Sequence, residues 1–351
     1  MNAQDYVCQN ESCSHFGLRD KNNLTTHSIA EKRLRCKVCK KTFSITKGTG
    51  FYRLHKEDTL IITVMTLLAY GCPSMAIVKA FELDPRSLIS WQNRFGTSAR
   101  RLHKTLFHQV LDYCHIQCDE LYVKMYAKRL WVATAIEVST RLWLSVELNR
   151  TRTNTFIENL LIGVKSCVKP LTKLYFETDG LASYKSQIAK VFRYKVKGKT
   201  RFKYKQWEGL VLVQIIKTYR KKGKRYAFKG LDKIKMSIGT FKEVTAYIKY
   251  FKANLVNTAY VERLNATIRG QVAPMVRRSR AIKKDETALK NLLEFKRTVY
   301  NLSDYHKSLK VGDKQYTPAM KAGIAKKKIP IRDILNFNDN DKDMSKFTST
   351  V

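Results

Sequence analysis

Ile116-Gln-Cys-Asp-Glu-Leu-Tyr-Val123 is an apolar run with two carboxylates in its middle, and the pattern around it decides the architecture. His115 to Tyr126, Leu130 to Val138 and Arg141 to Leu148 are rich in Leu, Val, Trp and Tyr and are separated by short breaks. Such spacing predicts an antiparallel three-strand meander with Asp119 on its first, central strand. Thr153 to Val168 then follows helical periodicity, Leu174 to Thr178 reads as a short buried strand, and Gly180 to Val191 restarts a helix.

Three strands, then helix, strand and helix, is the order a ribonuclease H-like fold requires, an α/β fold on a mixed sheet. Its first and fourth strands lie side by side. Asp119 and Asp179, in Leu174-Tyr-Phe-Glu-Thr-Asp-Gly180, would therefore approach each other. Period-two alternation points Glu120 to the opposite strand face, where a lysine partner is expected, and Glu177 shares the Asp179 face if the strand runs that far. Leu210 to Ile216 reads as a fifth strand and Phe241 to Phe251 as a helix.

Downstream, Tyr260-Val-Glu-Arg-Leu-Asn-Ala-Thr-Ile-Arg269 places Glu262, Asn265 and Arg269 at i, i+3 and i+7 on one helical face. Val261, Leu264 and Ile268 form the adjoining apolar stripe. A helix of this kind buries one stripe and offers a carboxylate, an amide and a guanidinium to a polar site.

Composition narrows the partners. The chain has 67 Lys plus Arg against 29 Asp plus Glu, a net charge of +38 over 351 residues. Such a field favours a polyanion, nucleic acid before an anionic membrane surface. The apolar runs fall short of the roughly 20 residues of a bilayer span. The first residues, with Asp5 and Cys8, lack the basic-then-apolar order of a signal peptide. The expected location is cytoplasmic and nucleoid-associated, with no membrane partner.

Cys8-x4-Cys13 and Cys36-x2-Cys39 form two knuckles able to bring four thiolates around one structural zinc. Cys72, Cys114, Cys118 and Cys167 lack such spacing and read as ordinary buried thiols. His15 and His27 read as surface residues. From Glu57 to His103 the pattern turns helical. Gly71-Cys72-Pro73 breaks it, Ser74 is placed to cap a second helix, and Asp84-Pro85 starts a third. Three short helices suggest a helix-turn-helix whose third helix offers Arg86, Ser87, Ser90, Gln92, Asn93 and Arg94 to a groove or to phosphates. A small helical linker bundle would give the same pattern.

Together, the cysteine pairs with Arg35-Cys-Lys-Val-Cys-Lys-Lys-Thr-Phe43, the helical trio, Cys118-Asp-Glu120, Thr178-Asp-Gly180 and Val261-Glu-Arg-Leu-Asn-Ala-Thr-Ile-Arg269 resemble the DDE transposases of bacterial insertion sequences. The insertion-sequence-one family is closest in appearance. Tyr300-Asn301, His306, Leu309 and Thr317-Pro-Ala-Met320 are similar to the tail after the catalytic glutamate in that group, so the likeness runs from Cys8 to about Ile324. It implies a catalytic triad of Asp119, Asp179 and Glu262 holding two magnesium or manganese ions. The activity implied is cleavage of terminal inverted repeats and joining of the 3′ ends to target DNA, without a nucleotide cofactor, by at least a dimer on DNA. Asn265 and Arg269 would be phosphate or supporting groups.

Two departures accompany the likeness. Ser303 and Asp304 stand where many relatives carry an arginine before the histidine, and His306 could serve DNA, an acidic ligand or the structure alone. The interval between Asp179 and Glu262 is long, implying a basic insertion near 193–230. Its runs Arg193 to Lys205 and Lys217 to Tyr226 interleave cations with Tyr and Phe, with Lys203, Lys205, Lys222 and Arg225 as DNA-binding candidates. They suit a ribbon lying on a phosphate backbone, with aromatics able to stack on exposed bases, or a merely solvated face.

The expected organisation is a zinc-ribbon-like module (1–50), a helix-turn-helix (55–105), a catalytic domain (113–300), a helical extension (301–335) and a disordered tail (336–351). A two-metal nuclease that does not join strands, or a non-catalytic DNA-binding regulator, would carry much of the same sequence.

Overall fold

The computed structural model describes residues 2–125, 128–198, 201–222, 225–251, 256–276 and 285–348; at 128, 217–222 and 225–232 it describes the backbone. The chain forms two compact units, residues 1–106 with 287–351, and residues 107–286. No helix among the described residues is long and apolar enough to cross a membrane.

The second unit is built on a six-stranded mixed sheet. Its strands are β4 (Cys114–Met125), β5 (Lys128–Glu137), β6 (Trp143–Asn149), β7 (Leu174–Asp179), β10 (Leu210–Lys222) and β11 (Arg225–Ile238). They lie in the order β11-β10-β7-β4-β5-β6, with β4, β7 and β10 parallel and the remaining pairs antiparallel. The meander and the pairing of the first strand with the fourth match the sequence expectation. Helices α4 (Asn154–Cys167) and α5 (Ala182–Val191) pack on one face, while α6 (Phe241–Tyr250) and α7 (Ala259–Gln271) pack on the other. Local chemistry sets the helix starts: the Thr153 hydroxyl accepts from Phe156 N–H, and Thr240 with Glu243 forms a capping box. On the α6 side, Tyr175, Val211 and Val213 bury Val244 and Tyr247.

The basic stretch after Asp179 divides in two. β8 (Arg193–Lys197) and β9 (Phe202–Gln206) make a separate two-stranded ribbon. The second run, expected in the insertion, instead belongs to the main sheet: antiparallel pairing continues from Leu212↔Ile238 out to Lys222↔Arg225, so the fifth strand runs well past Ile216.

The first unit has a three-stranded sheet, β1 (Leu24–Ser28), β2 (Arg33–Cys36) and β3 (Thr42–Ser44), whose β2–β3 turn carries the second cysteine knuckle, the first lying ahead of β1. Helices α1 (Asp58–Ala69), α2 (Ser74–Ala80) and α3 (Pro85–Leu106) follow. Asp84 caps α3 as expected, its carboxylate accepting from Arg86 N–H at 2.7 Å, whereas Pro73 rather than Ser74 stands at the α2 cap.

Helix α8 (Glu286–Leu302), assigned from sequence to the catalytic domain, packs almost wholly in the first unit. Gly96 of α3 lies so close to α8 that a Cβ there would meet the Asn291 carbonyl oxygen at 2.2 Å. The Thr298 hydroxyl donates to Ala99 O, and Asn301 contacts His103. Helices α9 (Pro318–Lys321) and α10 (Ile331–Leu335) complete the unit, with α10 against α1 and α3.

The expected disordered tail is ordered through residue 348. Asp339 N–H donates to Gly48 O, Lys342 N–H to Gly17 O, and the Asn340 amide to Gln9 Oε1 at 2.7 Å. Arg19 Nε donates to Asp341 Oδ2 at 2.9 Å. Polar composition suggested a solvated tail, but these Asn and Asp side chains hold it on the cysteine module by hydrogen bonds.

Candidate functional site

The parallel register of β4 with β7 pairs Cys118 with Thr178, so Asp119 and Asp179 are the next residues on adjacent strands. Alternation then sends Asp119 toward α7 and Glu120 toward α5. Asp119, Asp179 and Glu262 line one cleft of about 710 Å³, together with Arg152, Gly180, Thr258, Asn265 and Arg269. Three carboxylates from two strands and a helix thus face one space.

Burial drives the Asp119 carboxyl up to about 6, and the charges of Asp179 and Glu262 add to it against the pull of the Glu120 N–H and the Asn265 amide. Asn265 Nδ2 donates to Asp119 Oδ2 at 2.8 Å, while Asn265 Oδ1 accepts from the Thr134 hydroxyl at 2.9 Å. Asn265 is therefore a buried holder of Asp119, the supporting one of the two roles expected for it. Thr258 donates to Glu262 Oε1 at 2.9 Å, and Leu181 N–H donates to Asp179 Oδ1 at 3.0 Å. Arg269 lines the cleft, as its i+7 position predicts.

Glu120 is buried behind the site, accepting from the Tyr184 hydroxyl with Arg152 Nη1 3.6 Å away, so its cation is an arginine rather than a lysine. Burial raises its carboxyl to about 7, with the Asp179 charge the next contributor. Glu177 is also interior, held by the Tyr175 hydroxyl and the Gln117 amide with His115 Nε2 at 2.8 Å, and it does not line the cleft.

Sequence reasoning missed Gln117, Thr258 and Arg152. Gln117 is fully buried, and its amide uses all four hydrogen-bonding positions. Nε2 donates to Glu177 Oε2 at 2.7 Å and to Asn257 O at 2.6 Å; Oε1 accepts from Tyr260 N–H and Val261 N–H at 2.9 and 3.1 Å. A polar residue two before Asp119, on the same strand face inside an apolar run, was the available signal. Arg152 stacks over Trp131 at 4.3 Å, at the mouth of the cleft, and its signal was the basic pair before the α4 cap.

The second site is the cysteine cluster. The sulfur atoms of Cys8, Cys13, Cys36 and Cys39 all lie within 4.8 Å of one another, a group able to hold a metal ion such as zinc. Burial pushes the Cys36 thiol up, but the backbone N–H groups of Cys39 and Val38 and the Asn23 amide outweigh it and bring it down to about 7. At Cys36 that favours the thiolate a metal needs, whereas burial pushes the Cys8 and Cys13 thiols up, an effect a bound cation would offset.

The remaining DNA-contact candidates separate. Arg86 is exposed and pairs with Asp84 at 2.7 Å. Arg94 donates to the carbonyls of Tyr52 and Gly50, so it ties the loop before α1 to α3. Both line the outward face of α3 with Ser90, Asn93 and Arg101. Lys203 and Lys205 are exposed on the β8–β9 ribbon, whereas the side chains of Lys222 and Arg225 lie outside the described residues. His306 belongs to the first unit, its ring edge-on to Tyr300 at 4.3 Å.

Compared with models of known protein families the chain matches none, and no curated protein matches it significantly.

Proposed function

We propose that the second unit is a metal-dependent polynucleotidyl transferase of the ribonuclease H-like type. More narrowly, the chain is a DDE transposase like those of the insertion-sequence-one family, which binds the terminal inverted repeats of its element, cleaves them and joins the 3′ ends to target DNA. One observation carries this reading: Asp119, Asp179 and Glu262, far apart in sequence, line a single cleft in a chain of net charge +38.

The donor set fits hard divalent cations. Crowded carboxylates raise one another's proton affinity, as at Asp119, and oxygen donors of this kind suit magnesium or manganese. Two such ions, when bound, would supply positive charge for the attacking and leaving oxygens of an in-line phosphoryl displacement. The protein's own contribution is positional. Asn265 aims Asp119, Thr258 aims Glu262, and the clamp of Gln117 on the first turn of α7 sets that helix against β4. Arg152 and Arg269 bring positive charge to the cleft where a phosphate backbone would lie.

In the same reading α1 to α3 form a helix-turn-helix, and the cysteine module with zinc supports end recognition. The working complex is at least a dimer on DNA, in the cytoplasm with the nucleoid, and needs no nucleotide cofactor. The deciding assay is magnesium- or manganese-dependent cleavage and strand joining on DNA carrying the gene's own flanking ends, wild type against Glu262→Gln. Joined products that vanish in the variant support a transposase. Cutting without joining indicates a nuclease, and binding without metal-dependent chemistry indicates a regulator.

A further inference from the structure

Between Arg193 and Gln206 the sequence holds seven Lys or Arg and no Asp or Glu. The stretch folds into the β8–β9 ribbon, which pairs Arg193↔Gln206, Tyr194↔Lys205, Lys195↔Tyr204, Val196↔Lys203 and Lys197↔Phe202. Directly opposed residues share a face. One face therefore carries Arg193, Lys195 and Lys197 along one strand and Gln206, Tyr204 and Phe202 along the other.

That face is open. Phe202 is 66% exposed and Tyr204 53%. The Arg193 guanidinium lies 4.0 Å from the Tyr204 ring centre, and Lys195 Nζ lies 6.0 Å from it. A surface serving only solubility needs the charges and gains nothing from two large exposed rings. A surface serving only duplex phosphates needs the cations and has no use for the rings, because base faces in a duplex are already stacked. Cations beside exposed aromatics match a strand whose phosphates and base faces are both available.

Spacing sharpens the match. Phe202 and Tyr204 are two residues apart on one strand, about 6.6 Å at the usual rise. Bases in a duplex strand repeat at about 3.4 Å. Neighbouring bases seated on the two rings would be pulled off one another, which an unpaired strand allows.

We propose that this face of the ribbon binds an unpaired DNA strand by stacking bases on Phe202 and Tyr204 while Arg193, Lys195 and Lys197 hold its phosphates. That the nucleic acid is DNA rests on the transposase reading. An unpaired strand is what strand opening at a cleaved end would present.

The test compares the full-length wild type with the Phe202→Ala/Tyr204→Ala variant, using fluorescence anisotropy on an oligothymidine strand and on a duplex of the same length. Both rings are exposed, and circular dichroism verifies that the variant folds. The expected result is a loss of about thirtyfold or more in single-strand affinity, with duplex affinity unchanged within about twofold. Tyr194→Ala, on the opposite face, should leave both affinities in place. Unchanged single-strand affinity in the double variant overturns the proposal, and so does an equal loss on both probes. Metal-dependent cleavage by wild type in parallel keeps the two ideas apart. Chemistry without ribbon dependence sinks only the ribbon, and ribbon-dependent strand binding without chemistry sinks only the transposase.

Discussion

Gln117 Oε1 accepts the backbone N–H of Val261 at 3.1 Å, so the strand that carries Asp119 also holds the first turn of the helix that carries Glu262. Two carboxylates distant in sequence share one fixed reference. In Gln117→Leu two helix N–H groups, the Glu177 carboxylate and the Asn257 carbonyl lose a partner inside the fold. The expected cost is about 2–4 kcal/mol of stability in the second unit. Urea unfolding followed by tryptophan fluorescence reads it, since three of the four tryptophans, Trp131, Trp143 and Trp207, lie in that unit. A change below about 0.5 kcal/mol, the size of an ordinary surface substitution, would show that the clamp is dispensable.

Acid should stabilise the ion-free second unit. The carboxyls of Asp119 and Glu120 sit at about 6 and about 7, above their ordinary values, so the folded state holds those protons more tightly than the unfolded chain. That stability is fully present below the ordinary carboxylate range, near pH 4, and is lost as pH rises through about 6 to 7. For Asp119 alone the loss is on the order of 3 kcal/mol. Unfolding in chelator at about pH 4.5 and about pH 8 should show a steeper fall for wild type than for Asp119→Asn. Parallel profiles would contradict it.

Zinc analysis of purified protein should find about one ion per chain, the number a four-thiolate site holds, and close to none in Cys36→Ser. Such small modules fold around their metal, so the variant should also weaken end binding while leaving metal-dependent chemistry on non-specific DNA. A full zinc complement in Cys36→Ser would show that the cluster is not the site.

Asp341→Ala should loosen the cysteine module by about 1–3 kcal/mol, the usual cost of losing a charged hydrogen bond. Hydrogen exchange over residues 5–24 reads this directly, because Arg19 loses the nearer of its two carboxylate partners across the chain and keeps Asp343 at 3.6 Å. Exchange identical to wild type would mean that the tail lies on the module without holding it.

The meander was legible because it follows from strand periodicity and short breaks, and the adjacency of Asp119 and Asp179 from the strand-helix order of a ribonuclease H-like sheet, while the edge strand β11 was not foreseen. Glu262 and Arg269 were legible from helical spacing alone. What escaped depended on partners that local pattern does not encode. Asn265 shares a helical face with Glu262 and read as either a phosphate contact or a supporting group; its bond to Asp119, with Thr134 of a neighbouring strand fixing the other end of the amide, is what the sequence could not assign. Arg94 reads as a groove contact until the carbonyls of Tyr52 and Gly50 are seen beneath it. Residues 336–348 were misjudged because polar composition predicts solvation where no receptor is known, and the receptors here are backbone groups at Gly17 and Gly48.

The discontinuous first unit bears on the order in which the protein can become functional during its own synthesis. Translation delivers α3 early, but the helix that Gly96 fits and the tail that braces the cysteine module come from residues 287–351. The whole second unit emerges from the ribosome in between. A nascent chain thus possesses its sheet, with both aspartates and the glutamate, before the unit that opens the sequence can close.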